Sequence, residues 1–374
     1  MINDAKTRAL AIQIALFALI VAVVALLVTT AFGNLRARGM PIGFDFLTTT
    51  SRLVISESLL SYEASQPYYW AILVGIVNTL FISMLVILFS TVLGLVVGLG
   101  RLSGNPLVAA TCKVWVEIAR NFPPLVLLIF LYSLWWKVLP VAADAIALPM
   151  GIFVSMRGMN VPAATLNMGT VGGSLIALAM CFLAVRAFTP NAAFWRPWRR
   201  WQLPAVLALF SLGLWIAQVK IALDMPQFTG SNFEGGIELS PELSTILVGL
   251  TVYTTGFVAE IIRGGVLSID RGQWEAGRSL GLSRAKILRL IVVPQTLRVI
   301  VPPLNSQYIN VVKNSTLAIA VGYPDFFAIM NTTISKSSHA IEGIFIILCV
   351  YLVINLGLSS LANWFNRRIA IIER

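Results

Sequence analysis

The side chains that most often do chemistry are few and scattered in this 374-residue sequence. His339 is the only histidine, so no imidazole cluster is available for a metal ion, and nothing in the sequence places a nucleophile and a carboxylate beside it. Cys112, Cys181 and Cys349 are far apart and lack the C-x-x-C spacing of metal and redox sites. No phosphate-binding G-x-x-x-x-G-K loop is present. We therefore expect no catalytic residue, no metal and no cofactor in this chain.

The one dense block of polar residues is "QWEAGRSLGLSRAKILRLIVVPQ", from Gln273 to Gln295. It carries several basic side chains and a single carboxylate, Glu275, between two apolar runs. A lone Glu on an exposed helix is usually only solvated, so the block needs its context before it can be interpreted.

The composition places this block in a membrane protein. Hydrophobic residues make up 58% of the sequence, charged residues only 11%, and the mean hydropathy is +0.85. Soluble domains carry roughly 25% charged residues. Apolar runs of about twenty residues recur, which is the length that a helix needs to cross a bilayer. We predict an all-α integral membrane protein with about eight spans, at 9–31, 70–99, 114–139, 171–188, 202–221, 242–263, 297–321 and 342–364.

The basic residues lie mainly between these spans, on one side of the membrane. With both termini in the cytoplasm, the loop 270–295 and the cluster Arg196, Arg199 and Arg200 are inside, and the outer segments are poorer in cations for their length. Because the cations do not follow one face, the net charge of +11 indicates membrane topology and not nucleic-acid binding.

Within the loop, the sequence predicts two short helices joined by a turn. Asp270 and Gln273 approximate a capping box, and Gly281 can end the first helix in a left-handed conformation. Ser283 is placed to cap the second helix, and Pro294 to limit it.

The first of these helices has residues suited to contact with another protein. Trp274 offers an aromatic anchor and Glu275 a charge. Ala276 and Gly277 give a small-residue surface that a partner can approach closely.

The loop resembles the "EAA" loop of ATP-binding-cassette importer permeases, whose pattern is EAA-x3-G-x9-I-x-L-P. Glu275-Ala276-Gly277 is followed by Gly281, Ile291 and Pro294 at that spacing, with Gly for the second Ala and Val for the Leu. The stretches "AEIIRGGVLSID" and "PQTLRVIVPPLNSQYINVVKNSTLAIAVGYPDF" resemble the polar-amino-acid (histidine, glutamine and glutamate) branch. Within that branch the chain is most similar to the Q-type permease subunit of a general L-amino-acid transporter.

The resemblance implies a permease subunit of an ATP-driven importer for L-amino acids in the bacterial inner membrane. The implied fold is a type I importer permease core of five helices, with an N-terminal anchor and a two-helix insertion added. The implied partners are an ATPase subunit that hydrolyses the ATP, a second permease subunit, identical or related, and a periplasmic amino-acid-binding protein. The implied ATPase-coupling residues are Trp274, Glu275, Ala276, Gly277, Gly281, Ile291 and Pro294.

On this interpretation the chain has four segments. Residues 1–69 hold the anchor helix and an outer loop, and 70–139 the first part of the core. Residues 140–240 form the two-span insertion, and 241–374 the second part of the core with the coupling loop.

Two features predict local geometry within the spans. Gly94 and Gly98 form a small-x-x-x-small pair, which is typical of closely packed membrane helices. Pro123 and Pro124 predict a break or kink in the third span.

Polar residues inside spans are costly and tend to line a water-filled path or the interior of a bundle. Arg120 and Glu260 lie near span ends, where snorkelling to the interface is the alternative. Lys313 could pair with a substrate carboxylate, although pairing with Glu260 or a backbone carbonyl is slightly favoured. The candidates for a translocation path are Asn78, Arg120, Asn121, Glu260, Asn310, Lys313 and Asn314.

Two other classes of function remain open at this point. A secondary amino-acid transporter would need no ATPase and would more naturally show inverted repeats, for which we find no sign in the sequence. A non-transporting membrane scaffold subunit would use the loop for binding alone.

Overall fold

The computed structural model describes residues 5–37, 39, 41–166, 221–230 and 232–369. The predicted spans at 171–188 and 202–221, the arginines at 196, 199 and 200, and Cys181 fall outside these residues, apart from position 221. The chain is mostly helical, as predicted. It forms two compact units, one of Met1–Phe130 with Thr245–Arg374 and one of Leu131–Ser244.

The described residues contain ten α-helices. They are α1 (Ala5–Ala37), α2 (Tyr68–Gly100), α3 (Pro106–Asn121), α4 (Pro124–Lys137), α5 (Pro241–Leu267), α6 (Arg271–Ser279), α7 (Arg284–Ile287), α8 (Val293–Asn314), α9 (Phe326–Ser337) and α10 (Ala340–Ile369).

Five stretches in the described part are long and apolar enough to cross a membrane, and each overlaps a predicted span. They are Arg8–Thr30, Tyr68–Gly100, Pro241–Leu267, Arg284–Ala320 and Ala340–Trp364.

The third predicted span, 114–139, is broken at the point where the sequence predicted a break or kink. The chain forms α3 and α4 there, bent by 104° where they meet. Asn105 caps α3 by accepting a 3.0 Å hydrogen bond from the Leu107 amide, and Phe122 beyond its end is extended. A residue that precedes proline is disfavoured in the helical region, so the prolines at 123 and 124 explain the break that the sequence predicted.

Close packing of α2 on α5 confirms the Gly94 and Gly98 prediction. A side chain at Gly94 would overlap Val258, and a Cβ at Gly98 would lie 2.8 Å from the Ala259 carbonyl oxygen. The two glycines therefore let the backbones of these helices approach each other.

The second unit contains short antiparallel strands that the sequence did not predict. They are β1 (Ile146–Leu148), β2 (Ile152–Ser155), β3 (Gly158–Val161), β4 (Ala163–Leu166), β5 (Ile221–Asp224), β6 (Gln227–Phe228), β7 (Phe233–Glu234) and β8 (Ile237–Leu239). The sheets have the orders β1-β2-β3-β8, β4-β5 and β6-β7. Strands β4 and β5 pair Leu166 with Ile221. The spans predicted at 171–188 and 202–221 stay a prediction.

Candidate functional site

The loop 270–295 begins with α6, which Asp270 caps at its start and Gly281 at its end. Of the predicted capping box only the Asp270 half forms, because Gln273 Oε1 accepts from Gln295 Nε2. At its start, Asp270 Oδ1 accepts a 3.2 Å hydrogen bond from the Gly272 amide. At its end, Gly281 adopts φ +71°. The Leu282 amide donates to the Gly277 carbonyl at 3.1 Å, and the Gly281 amide to the Arg278 carbonyl at 2.8 Å. These are the two bonds of a Schellman motif, so the turn after α6 has a defined geometry.

The second helix of the loop does not stop at Pro294, which corrects the prediction. After α7 the chain makes one π-helical turn, Leu288–Val292, and continues directly as α8. Pro294 lies in the first turn of α8. In the first turn of a helix, the amide hydrogen that proline lacks has little role in hydrogen bonding within the helix. The π turn before Pro294 also alters the backbone hydrogen bonds that the proline ring would otherwise disrupt. The chain from Arg284 to Ala320 is therefore continuous, and it contains a stretch that is apolar enough to cross a membrane.

Gly277 faces the interior of the loop and is buried, so it is not part of the approachable surface that the sequence predicted. A Cβ at this position would lie 2.9 Å from Ile287 Cγ1 and 3.2 Å from Ile291 Cδ1. Ile287 itself is only 1% exposed. The glycine therefore lets α6 pack directly on α7 and the π turn, and Ile291 belongs to the same packing.

The outward face of α6 combines a charge with apolar surface. Glu275 and Ala276 are exposed, and Trp274 is half-buried. Leu280, which the sequence analysis missed, is 77% exposed directly after the helix. The sequence did contain a signal for its exposure, since an apolar residue stands in the cap of the helix and no contact with the rest of the loop was predicted for it. Gln295 Nε2 donates to Gln273 Oε1 at 3.2 Å, which ties the start of α6 to α8.

Two of the path candidates, Arg120 and Glu260, lie together near the end of α5. Glu260 accepts a 2.6 Å hydrogen bond from Arg263 Nη2 and forms an ion pair with Arg101, the residue after α2. Arg120 Nη1 of α3 is 4.0 Å from the same carboxylate, and its guanidinium lies over the Phe257 ring. One carboxylate therefore connects α2, α3 and α5.

Of the two pairings that the sequence favoured for Lys313, the one with Glu260 is not formed among the described residues, where this carboxylate pairs with Arg101 and Arg263. Lys313 is exposed in the last turn of α8. Asn121 and Asn310 are exposed as well, and Asn314 is half-buried.

Asn78 is 1% exposed and cross-links three parts of the first unit. Its Nδ2 donates to the carbonyl oxygens of Glu57, at 3.0 Å, and Pro324, at 2.9 Å. Beside it, the Phe326 amide donates to Thr79 Oγ1 at 3.0 Å. Asn78 thus fixes the turn that leads into α9, and its Nδ2 bonds to Glu57 and Pro324, not to another path candidate.

A buried carboxyl group that the sequence analysis missed is the N-cap of α9. Asp325 is fully buried, its Oδ1 accepts a 2.8 Å hydrogen bond from the Ala328 amide, and its Oδ2 has no hydrogen-bond partner among the described residues. Burial raises the pKa of Asp325 to about 7. The sequence pattern Pro-Asp-Phe-Phe could have identified the cap, but not its burial.

The remaining reactive side chains in the described part of the chain are two cysteines and His339. Cys112 and Cys349 are free thiols, and no group of three or more metal-binding side chains occurs in the described ranges. His339 stacks on Phe46, with 4.5 Å between ring centroids.

Comparison with known proteins identifies the family. Residues 174–371 match the model of the "Binding-protein-dependent transport system inner membrane component" family. YhdX of Escherichia coli strain K12, an inferred amino-acid ABC transporter permease protein, is 40% identical over 98% of this chain and 95% of its own. The general L-amino acid transport system permease protein AapQ of Rhizobium johnstonii is 36% identical over 99% of this chain and 94% of its own.

A solved amino acid ABC transporter with histidines is also similar. It covers 80% of this chain and 95% of its own, with 20% identity and a TM-score of 0.49. The family model matches more than half of the chain, and both relatives align over nearly its whole length. The chain therefore belongs to the family of binding-protein-dependent transport system inner membrane components.

Proposed function

We propose that the chain is a permease subunit of an ATP-driven importer for L-amino acids and couples to a separate ATPase through the loop 270–295. The family and the names of the relatives support amino-acid transport. The observation that carries the coupling is the loop itself, a capped and tightly packed helix that exposes Glu275, Ala276 and Leu280.

The loop has the properties of a stiff lever. Only residues 268–270 separate α5 from α6, and α7 runs through the π turn into α8. Movement of α6 would therefore pull on two membrane spans together. The Schellman turn, the close approach at Gly277 and the bond between Gln273 and Gln295 oppose bending within the loop. To drive the cycle, ATP binding must favour one conformation by a few kcal/mol.

The coupling residues fall into two groups under this proposal. Glu275, Ala276 and Leu280 contact the ATPase, with Trp274 at the edge of the contact. The other residues hold the shape of the loop or start the following helix, and these are Gly277, Gly281, Ile291 and Pro294.

The partners follow from the coupling. The ATPase subunit, where ATP would be hydrolysed, lies on the cytoplasmic side with both termini of this chain, which agrees with the concentration of basic residues there. A second permease subunit completes the pathway, and a periplasmic amino-acid-binding protein delivers the substrate.

The last turns of α8 are proposed to face the pathway. Asn310, Lys313 and Asn314 share one helix face, since they are three and four residues apart. An exposed lysine in a span is costly unless it faces water or another protein. We therefore place the second subunit and the path against this face, where Lys313 can meet a substrate carboxylate. The ion pairs of Glu260 with Arg101 and Arg120, called here the tie at Glu260, would transmit movement of α5 to α2 and α3.

Energy coupling separates this proposal from a secondary transporter and from a scaffold subunit. Uptake of radiolabelled amino acids is measured after the partner ATPase is inactivated by a substitution at its nucleotide site, with the proton gradient intact. The proposal predicts loss of uptake. Continued uptake that collapses with the proton gradient would favour the secondary transporter, and no uptake from the parent complex would favour the scaffold.

A further inference from the structure

The segment 41–67, which joins α1 to α2, is folded onto the start of α2. Its residues Phe46 and Leu53 are buried in one cluster with Tyr68 and Ile329. The Ser51 amide donates to the Gln66 carbonyl at 3.0 Å. The segment therefore presents a defined surface and not a loose loop.

A cleft of about 890 Å³ lies between this segment and the junction of α9 and α10. Its charged lining residues are Arg52, Lys336 and Asp45. His339 also lines it, with Nδ1 at 2.8 Å from the Ser337 carbonyl oxygen and its ring stacked on Phe46. Because a carbonyl only accepts, Nδ1 carries the proton, which fixes the orientation of the ring.

Arg52 holds an unusual backbone conformation at the edge of the cleft. Its φ is +49°, in the left-handed region that glycine or asparagine adopts more readily. Two hydrogen bonds hold it there, from its own amide to the Ala64 carbonyl at 3.0 Å and from Lys336 Nζ to its carbonyl at 2.9 Å. Glycine would adopt this backbone conformation with less strain than arginine. The arginine side chain at position 52 is therefore a candidate for a functional role.

The cleft and the coupling loop lie at opposite ends of α2. Tyr68, the first residue of α2, lines the cleft. Arg101, directly after α2, pairs with Glu260 on α5, the helix that leads into the loop. Since α2 has 33 residues, these ends are about 50 Å apart. If the loop meets the ATPase in the cytoplasm, the cleft opens on the opposite side of the membrane.

We propose that this cleft receives an acidic side chain of the protein that delivers the substrate. Arg52 offers a planar guanidinium that can bind a carboxylate through two hydrogen bonds, and Lys336 adds a second cation beside it. Asp45 repels a carboxylate from its own part of the cleft, so it fixes the orientation of the docked partner. The cleft is wide open at the surface, which suits a protein surface better than an enclosed small molecule. This inference rests on the proposed function, because it requires the coupling loop to be cytoplasmic.

The test uses the complete transporter in proteoliposomes, with ATPase activity measured against the concentration of amino-acid-loaded binding protein. Arg52→Glu is expected to raise the half-saturating concentration of binding protein by about tenfold or more, since charge at an interface steers association. Basal ATPase activity without binding protein stays unchanged. Arg52→Lys restores most of the affinity. The half-saturating concentration for the parent rises with salt, and this dependence weakens in the variant.

A second variant separates docking from structure. Arg52→Gly relieves the backbone and removes the guanidinium, so it should be at least as stable as the parent and still dock poorly. Arg157→Glu, a change at an exposed arginine outside the cleft, serves as the control.

Three results would decide against the inference. An unchanged half-saturating concentration in both Arg52→Glu and Arg52→Gly would overturn it. If the ATPase activity of the variants depends normally on binding-protein concentration but its dependence on amino-acid concentration is shifted, the cleft is a substrate site instead. Loss of docking in Arg52→Gly accompanied by a lower unfolding temperature would make Arg52 a structural residue. Absence of any ATPase activity in the parent complex would contradict the proposed function itself, so the two failures are distinguishable.

Discussion

Asp325 at the start of α9 gives a prediction whose size follows from the structure. Burial raises its pKa from 3.8 to about 7. Each pKa unit corresponds to about 1.4 kcal/mol, so the ionised carboxylate destabilises the fold by about 4 kcal/mol. Below pH 3.8 the group is neutral in both states and this penalty is absent. It grows as the pH rises through the window between 3.8 and 7, and it is constant above pH 7.

Asp325→Asn removes the charge and keeps a residue that caps helices well. The new amide adds its own burial term, but that term does not change with pH. Relative to the parent, the variant should therefore gain about 3 kcal/mol of stability between pH 5 and pH 8. The measurement is the apparent unfolding midpoint of the purified complex in detergent at both pH values. From pH 5 to pH 8, the midpoint of the variant should rise by several degrees relative to that of the parent.

Asp270→Asn is the matched control, because it changes the exposed N-cap of α6 in the same way. The change that it shows between the two pH values is the baseline against which Asp325→Asn is compared. If Asp325→Asn behaves like this control, then the second oxygen of Asp325 is satisfied in the folded protein and the reasoning from its burial is refuted.

Two further predictions concern the loop and the tie at Glu260. Gly277→Val should separate α6 from Ile287, at a cost of roughly 1–3 kcal/mol from overpacking, and should abolish co-purification of the ATPase. Gly272→Ala in the same helix, where a Cβ meets only ordinary contacts, should leave it intact; equal behaviour of the two variants would contradict the packing. Arg101→Gln should reduce uptake severalfold and more than Arg120→Gln, since Arg101 is 13% exposed and Arg120 is 42% exposed at 4.0 Å from Glu260. The reverse order in uptake assays at matched expression would contradict the tie.

The predictions that held are those that depend on neighbouring residues. Asp270 and Gly281 cap α6 through bonds within a few residues, and caps of this kind are readable from short patterns. The close helix packing at Gly94 and Gly98 could be predicted from their spacing in an apolar helix alone. The five apolar spans follow from length and composition.

The predictions that failed depend on contacts between distant parts of the chain or on subtle local geometry. The burial of Gly277 depends on the direction in which α6 folds back onto Ile287, which spacing does not determine. Pro294 continues a helix because a π turn precedes it, and the sequence has no signal for that turn. The ion pair of Arg101 with Glu260 joins residues that are 159 positions apart. The strands of the second unit have only two to four residues, too few for an alternating pattern to be recognised.

The most direct test of the central claim is a single substitution on the exposed face of α6. Glu275→Lys reverses the charge of an exposed side chain, so it should leave the fold and the membrane level of the chain unchanged. Co-purification of the ATPase and ATP-driven amino-acid uptake are measured together, with Glu117→Lys, at another exposed glutamate, as the control. We predict that Glu275→Lys loses both the co-purifying ATPase and the uptake, while the control keeps both. Normal co-purification with normal uptake in Glu275→Lys would contradict the account and leave Glu275 a solvated helix residue.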